Sequence, residues 1–166
     1  MSKRFILLAL LASACMPKGE LGGSVSGNYD LRFDRVRAYW LASDLVIIYE
    51  RDYTPVSPTT AYGDPVVNQI ARLTFHSDKQ DLETGVEIPY VRDDGPGLGI
   101  SAERYVLEDR TGGMVQEPQL PDLFEAHVRF DELSHENDEP LEGEFDCTFI
   151  DDRFLWGTFD TSISSP

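Results

Sequence analysis

Three histidines (His76, His127 and His135), two cysteines (Cys15 and Cys147) and thirty carboxylates are the side chains with which this chain could do chemistry. The histidines are far apart, and none has a Cys or another His at metal-site spacing, so zinc is not indicated. His135-Glu136-Asn137-Asp138-Glu139 begins like a zincin helix but lacks the second histidine. Calcium, a hard cation that takes about six to eight oxygens, is the one candidate ion. Its candidate ligands are Asp93 with Asp94 and Glu136 with Asp138. Neither pair follows a calcium-loop pattern, and a solvated loop is the plainer reading. Gly95-Pro96-Gly97-Leu98-Gly99 lacks the third glycine of the dinucleotide spacing and the lysine of a P-loop, and reads as a turn. No Gly-x-Ser-x-Gly elbow is present, and nothing selects a carboxylate pair for glycoside hydrolysis. We assign no catalytic residue and expect no cofactor.

Aromatic side chains give a different kind of candidate, a binding patch. Phe154 and Trp156 share one strand parity, and Leu155, Gly157 and Phe159 share the other. With the second set in the core, Phe154 and Trp156 either face outward as a patch for sugar or protein or lie under another element; large aromatics favour the covered position.

Strands must carry these residues. The pattern apolar-x-Gly-x-aromatic-Asp-x-x-apolar occurs at Val25 to Phe33, at Leu141 to Phe149 and at Leu155 to Ile163. Its period of two is that of a strand. Asp151-Asp152-Arg153 between the last two copies predicts a hairpin of Leu141 to Ile150 with Arg153 to Ile163. Phe145, Cys147, Phe149, Leu155 and Phe159 then lie on its buried face. Glycine inside each copy predicts a bulge or a close approach of another backbone. Further strands are expected at Arg35 to Leu41 and Leu45 to Arg51 as a hairpin, and at Val66 to Phe75, Gly85 to Pro89, Arg104 to Glu108 and Phe124 to Phe130. Ser77 to Gln80 fits a helix capping box. About eight or nine strands predict an all-β fold, an antiparallel sandwich or barrel.

The amino terminus supplies an address. Lys3 and Arg4 precede the apolar run Phe5 to Leu11 and the small residues Ala12-Ser13-Ala14, the three parts of an export signal. Leu11-Ala12-Ser13-Ala14-Cys15 resembles a bacterial lipoprotein signal, although the leucine stands one place earlier than in the usual lipobox. The resemblance implies cleavage after residue 14, a lipid on Cys15 and an outer-membrane location facing periplasm or exterior. Plain secretion after the Ala12-x-Ala14 site is the alternative. Residues 15–24 are then the lipidated cysteine with a flexible tether, and residues 25–166 a single β domain.

Charge narrows the partners. The formal charge of −16 becomes −18 once Lys3 and Arg4 are removed. Such a surface repels nucleic-acid phosphate and anionic headgroups, so no nucleic-acid partner is expected. The acids are either a solvated face or an adaptation to salt. With Cys15 lipidated, Cys147 has no disulfide partner and reads as an inert core thiol. The sequence therefore predicts a non-enzymatic envelope lipoprotein acting in binding or structural interaction, with an envelope protein or glycan as partner. A lipocalin-like barrel for a small apolar ligand is the alternative, carried by Gly27-Asn28-Tyr29, which resembles the lipocalin Gly-x-Trp. An envelope hydrolase comes third.

Overall fold

The structure is a computed structural model that describes residues 18–53, 66–76, 82–92, 99–110 and 113–166. Cys15, Asp93, Asp94 and the capping box at 77–80 lie outside the described residues. Among the described residues there are eleven strands: β1 (Gly19–Gly22), β2 (Arg35–Leu41), β3 (Asp44–Tyr53), β4 (Val66–His76), β5 (Glu87–Val91), β6 (Ile100–Tyr105), β7 (Leu107–Arg110), β8 (Gly113–Gln116), β9 (Leu123–Glu132), β10 (Pro140–Phe149) and β11 (Phe154–Ser164). The all-β class read from the sequence is the fold observed. Among the described residues, no helix is long and apolar enough to cross a membrane.

The carboxy-terminal hairpin forms as the repeated pattern predicts, and the pattern explains its register. The two glycines stand fourteen residues apart, and antiparallel pairing sets Gly143 opposite Phe159 and Phe145 opposite Gly157. Each phenylalanine ring lies where the opposite glycine has no side chain: a Cβ at Gly157 would stand 2.6 Å from Phe145 Cε1. The copies are thus complementary to each other, and a slip of one residue would expose the apolar set. Phe145, Cys147, Phe149, Leu155 and Phe159 are all buried. The turn is closed by Asp152 N–H donating to Phe149 O at 3.0 Å, with Asp152 at φ 62, the left-handed residue of a three-residue hairpin loop.

The first copy of the pattern behaves differently. It is not a strand: Ser24–Gly27 is a single 3-10 turn, followed by irregular chain. Gly27 has nothing over it within 4 Å, so the ring-over-glycine pairing that fixes the other two copies is missing here. Tyr29 turns inward instead. Its hydroxyl donates to Gln119 O at 2.9 Å, and its ring lies between the Arg104 and Arg153 guanidiniums, 5.2 and 5.6 Å from its centroid. The expected tether is also shorter, because Gly19–Gly22 pairs with β11 and Val25 is fully buried.

Nine strands make one sheet, ordered β5-β9-β10-β11-β2-β3-β4-β6, with β1 added beside β11. β11 joins two layers. Its first part pairs with β10 and β1, and its end pairs in parallel with β2 through Ile163 and Ser164. The layers pack through rings, Tyr49 on Phe145 at 6.0 Å and Phe75 on Phe130 at 5.5 Å, while Phe130 and Phe159, 5.9 Å apart, meet across Gly143 within one layer. Burial of such aromatic and aliphatic area is the main stabilising term. Tyr49 also crosses the interior to donate to Thr158 O at 2.7 Å, and burial raises its phenol pKa.

Two boundaries differ from the sequence reading. Glu87–Val91 forms the strand expected at 85–89. The single strand expected over 104–108 is divided into β6 and β7, with β7 pairing β8 in a separate hairpin. The buried Asn68 explains the break. Its amide donates to Leu107 O at 3.1 Å and accepts from Leu107 N–H at 2.9 Å, replacing a ladder pair where β7 leaves β4.

The β2–β3 hairpin forms as expected, but its turn is Ala42-Ser43, one residue shorter than the expected Ala42-Ser43-Asp44, because Asp44 pairs with Leu41 as the first residue of β3. Ala42 sits at φ 55, which costs a residue with a Cβ roughly 1–2 kcal/mol. Ala42→Gly should therefore raise the denaturation midpoint by about 1 kcal/mol in free energy. An unchanged or lowered midpoint would show that glycine's unfolded-state entropy cancels the relief.

Candidate functional site

Five strands, β5, β9, β10, β11 and β1, turn one face to the core and the other to solvent. Their registers align one outward row across the sheet: Pro89, His127, Asp146, Trp156 and Gly22. The adjacent row is Glu87, Arg129, Glu144, Thr158 and Glu20. Strand alternation puts these side chains on the same face as Phe154, and residues 145, 147, 155 and 159 on the other.

Phe154 and Trp156 are exposed, at 46% and 40%. The covered position favoured for them is thus corrected: among the described residues no element lies over this face, because β1 pairs beside β11 within the sheet. The Trp156 indole leans over Gly22, where a Cβ would stand 2.6 Å from Cζ2. β1 therefore supports the ring along one side and leaves the rest to solvent. Trp156 Nε1–H has no hydrogen-bond partner among the described residues.

Beside the ring is a charged group that the sequence did not single out. His127 Nδ1 lies 3.1 Å from Asp146 Oδ2, and Nε2 lies 3.7 Å from Glu125 Oε1. The Asp146 hydrogen bond, opposed by partial burial and assisted by Glu125 and Glu87, raises the His127 pKa. Arg129 reaches Glu144 at 3.0 Å and Asp131 at 3.2 Å. His127, Arg129, Glu144, Asp146, Glu87 and Trp156 line an open depression of about 370 Å³. Both ring nitrogens of His127 face carboxylates, an arrangement that favours the charged ring and does not aim a neutral base at a hydroxyl.

The other candidates are dispersed. His76 pairs with Asp44 at 3.0 Å, and His135 stacks on Trp40 at 4.4 Å. Glu136 and Asp138 are exposed in the loop after β9, their backbone N–H groups donating to Ser134 Oγ and Ile163 O. Among the described residues no group of three His, Cys, Asp or Glu could hold a metal ion. Cys147 is buried, and burial, with Asp146 adding to it, pushes its thiol up to about 12. It is no nucleophile at neutral pH.

A second charged cluster lies inside the fold. Arg104 on β6 is fully buried and donates to Ile70 O at 3.1 Å, Asp30 O at 3.4 Å and the Glu117 carboxylate. Asp30 in turn accepts from Arg32 and Arg51, each at 2.6 Å. The hydrogen bond from Arg32 is the main reason its carboxyl lies well below the usual range, with Arg51 assisting. These charges pair with one another, although Arg104 Nε has no hydrogen-bond partner among the described residues, and they tie residues 28–34 and 117–119 to β3 and β6, which makes the cluster a structural tie.

Comparison with known proteins gives no relative to argue from. No protein-family model, curated protein or solved structure matches this chain. Function must therefore be argued from the outward face itself.

Proposed function

We propose that this protein is an envelope lipoprotein, anchored through Cys15, whose β domain is a non-enzymatic binding module working through the face around Trp156. The observation that carries the reading is the exposure of Phe154 and Trp156 side by side on a regular sheet face, next to His127, Asp146 and Arg129. Aromatic side chains held out from a regular strand lose little entropy on binding, and exposed apolar groups of this kind serve as contact points. The engaged nitrogens of His127 and the buried thiol of Cys147 favour binding over catalysis. An interior filled by Tyr49, Phe75, Phe130, Phe145 and Phe159 favours a surface partner over a small apolar ligand carried inside.

The anchor and the face belong together. β1 begins four positions after Cys15, a reach of roughly 14 Å at full extension. A lipid on Cys15 would hold β1, and with it Trp156, close to the bilayer. Cys15→Ser should move the protein from the membrane fraction to the soluble one. A photo-crosslinking residue at Phe154 should give a discrete adduct in cells, and the same residue at Tyr105, exposed on β6, should give none. Identical fractionation of the two forms would remove the anchor. Equal adducts at both positions, or none at 154, would remove the binding face.

A further inference from the structure

We infer that the outward face takes a basic protein segment, a lysine or arginine side chain lying over the Trp156 indole between Asp146, Glu144 and Glu20. This rests on the binding-face reading above and names its occupant. Asp146 is directly opposite Trp156 on β10, and Glu144 and Glu20 are its diagonal neighbours on β10 and β1. Diagonal neighbours across a sheet stand about 7–8 Å apart, within reach of one long side chain.

Charge selects the partner. Cations are scarce on this face: Arg129 is already held by Glu144 and Asp131, and Lys18 lies beside Asp160 in the row of Glu142. Glu20 and Glu142, both outward, form no ion pair among the described residues, and Glu87 acts on His127 without a direct ion pair. The guanidiniums that do lie over rings use Tyr29 and Tyr39, so no cation among the described residues sits over Trp156. An exposed indole ringed by carboxylates attracts a cation twice, through its quadrupole and through the acids. A neutral glycan would use the ring but leave those carboxylates uncompensated, and an anionic one would be repelled.

The test uses the full-length chain with Cys15 in non-ionic detergent micelles. The probe is an end-blocked heptapeptide with lysine at alternate positions and threonine between, titrated by calorimetry at low salt. Binding should weaken at least tenfold in Trp156→Ala, weaken severalfold in Glu20→Gln, and vanish for the same peptide with acetylated lysines. In a Trp40→Phe background, the peptide should change the emission of Trp156, then the sole indole. Equal affinity for wild type and Trp156→Ala would reduce the effect to net charge and overturn the inference. So would chitohexaose changing the Trp156 emission while the peptide does not, an outcome that leaves the binding face intact. Silence from both probes with a surviving adduct at position 154 overturns the basic occupant alone; loss of that adduct overturns the face as well.

Discussion

Replacing Arg104 by alanine is expected to cost about 3–5 kcal/mol of folding free energy, the range for breaking a buried ion pair from one side. For a domain of this size that corresponds to a fall of roughly 6–20 °C in melting temperature. Arg104 has no exposed side-chain surface. Its removal strands the Glu117 carboxylate, leaves the Ile70 and Asp30 carbonyls without this donor, and empties the space beside Tyr29. The loss should depend on pH with a definite sign. In the wild type, burial raises the Glu117 pKa, but hydrogen bonds involving Glu108 and Arg104 outweigh it, and the net shift is downward. A lowered folded-state pKa contributes stability above the unfolded value, and that contribution is lost as pH falls through the folded one. Without Arg104, burial dominates and the carboxyl prefers its proton. The deficit of Arg104→Ala should therefore be smaller at pH 4 than at pH 7. Denaturant unfolding at the two values checks this; equal deficits, or a loss under 1 kcal/mol, would show that the pair is not coupled to folding. Replacing both partners by well-packed apolar residues should cost much less.

Nothing in the sequence marks Arg104. It stands in a stretch with Glu103 and Tyr105, both exposed, and its burial depends on residues 28–34 and 117–119 folding over it. The β10–β11 hairpin, by contrast, could be read directly, because alternation, turn acids and reciprocal Gly and Phe positions all point to one register. The same pattern misled at Val25 to Phe33. A local motif specifies a strand only when a partner supplies the matching ring, and there Tyr29 finds Gln119 and two arginines instead.

The candidate site was legible in half. Phe154 and Trp156 could be placed on one parity, but whether that parity met solvent depended on where β1 went. His127 and Asp146 are nineteen residues apart and meet only through the β9–β10 register. Outward parity alone, shared with Glu125 and Arg129, was a signal too weak to pair them.

The reciprocal glycines make the second large prediction. Gly143→Ala should destabilise by about 3 kcal/mol, the upper range for overpacking, because its Cβ would meet the Arg129 carbonyl oxygen of the neighbouring strand and also stand 2.7 Å from Phe159 Cζ. A ring can rotate away, but a carbonyl in a ladder moves only with β9. Gly157→Ala meets mainly a ring, Phe145 Cε1 at 2.6 Å, with Glu20 O at 2.8 Å on β1, a short strand beside the hairpin. The two variants should therefore respond differently to trimming the opposite ring. Phe145→Leu should recover much of the loss in Gly157→Ala, giving a favourable coupling energy in a double-mutant cycle. Phe159→Leu should recover little in Gly143→Ala, because the contact with Arg129 remains. Similar rescue of both would mean that β9 yields at Gly143 and that ring-over-glycine packing alone sets the register of the hairpin. Rescue of Gly157→Ala alone would place the rigid point of this layer at the β9–β10 pairing, the register that brings His127 to Asp146.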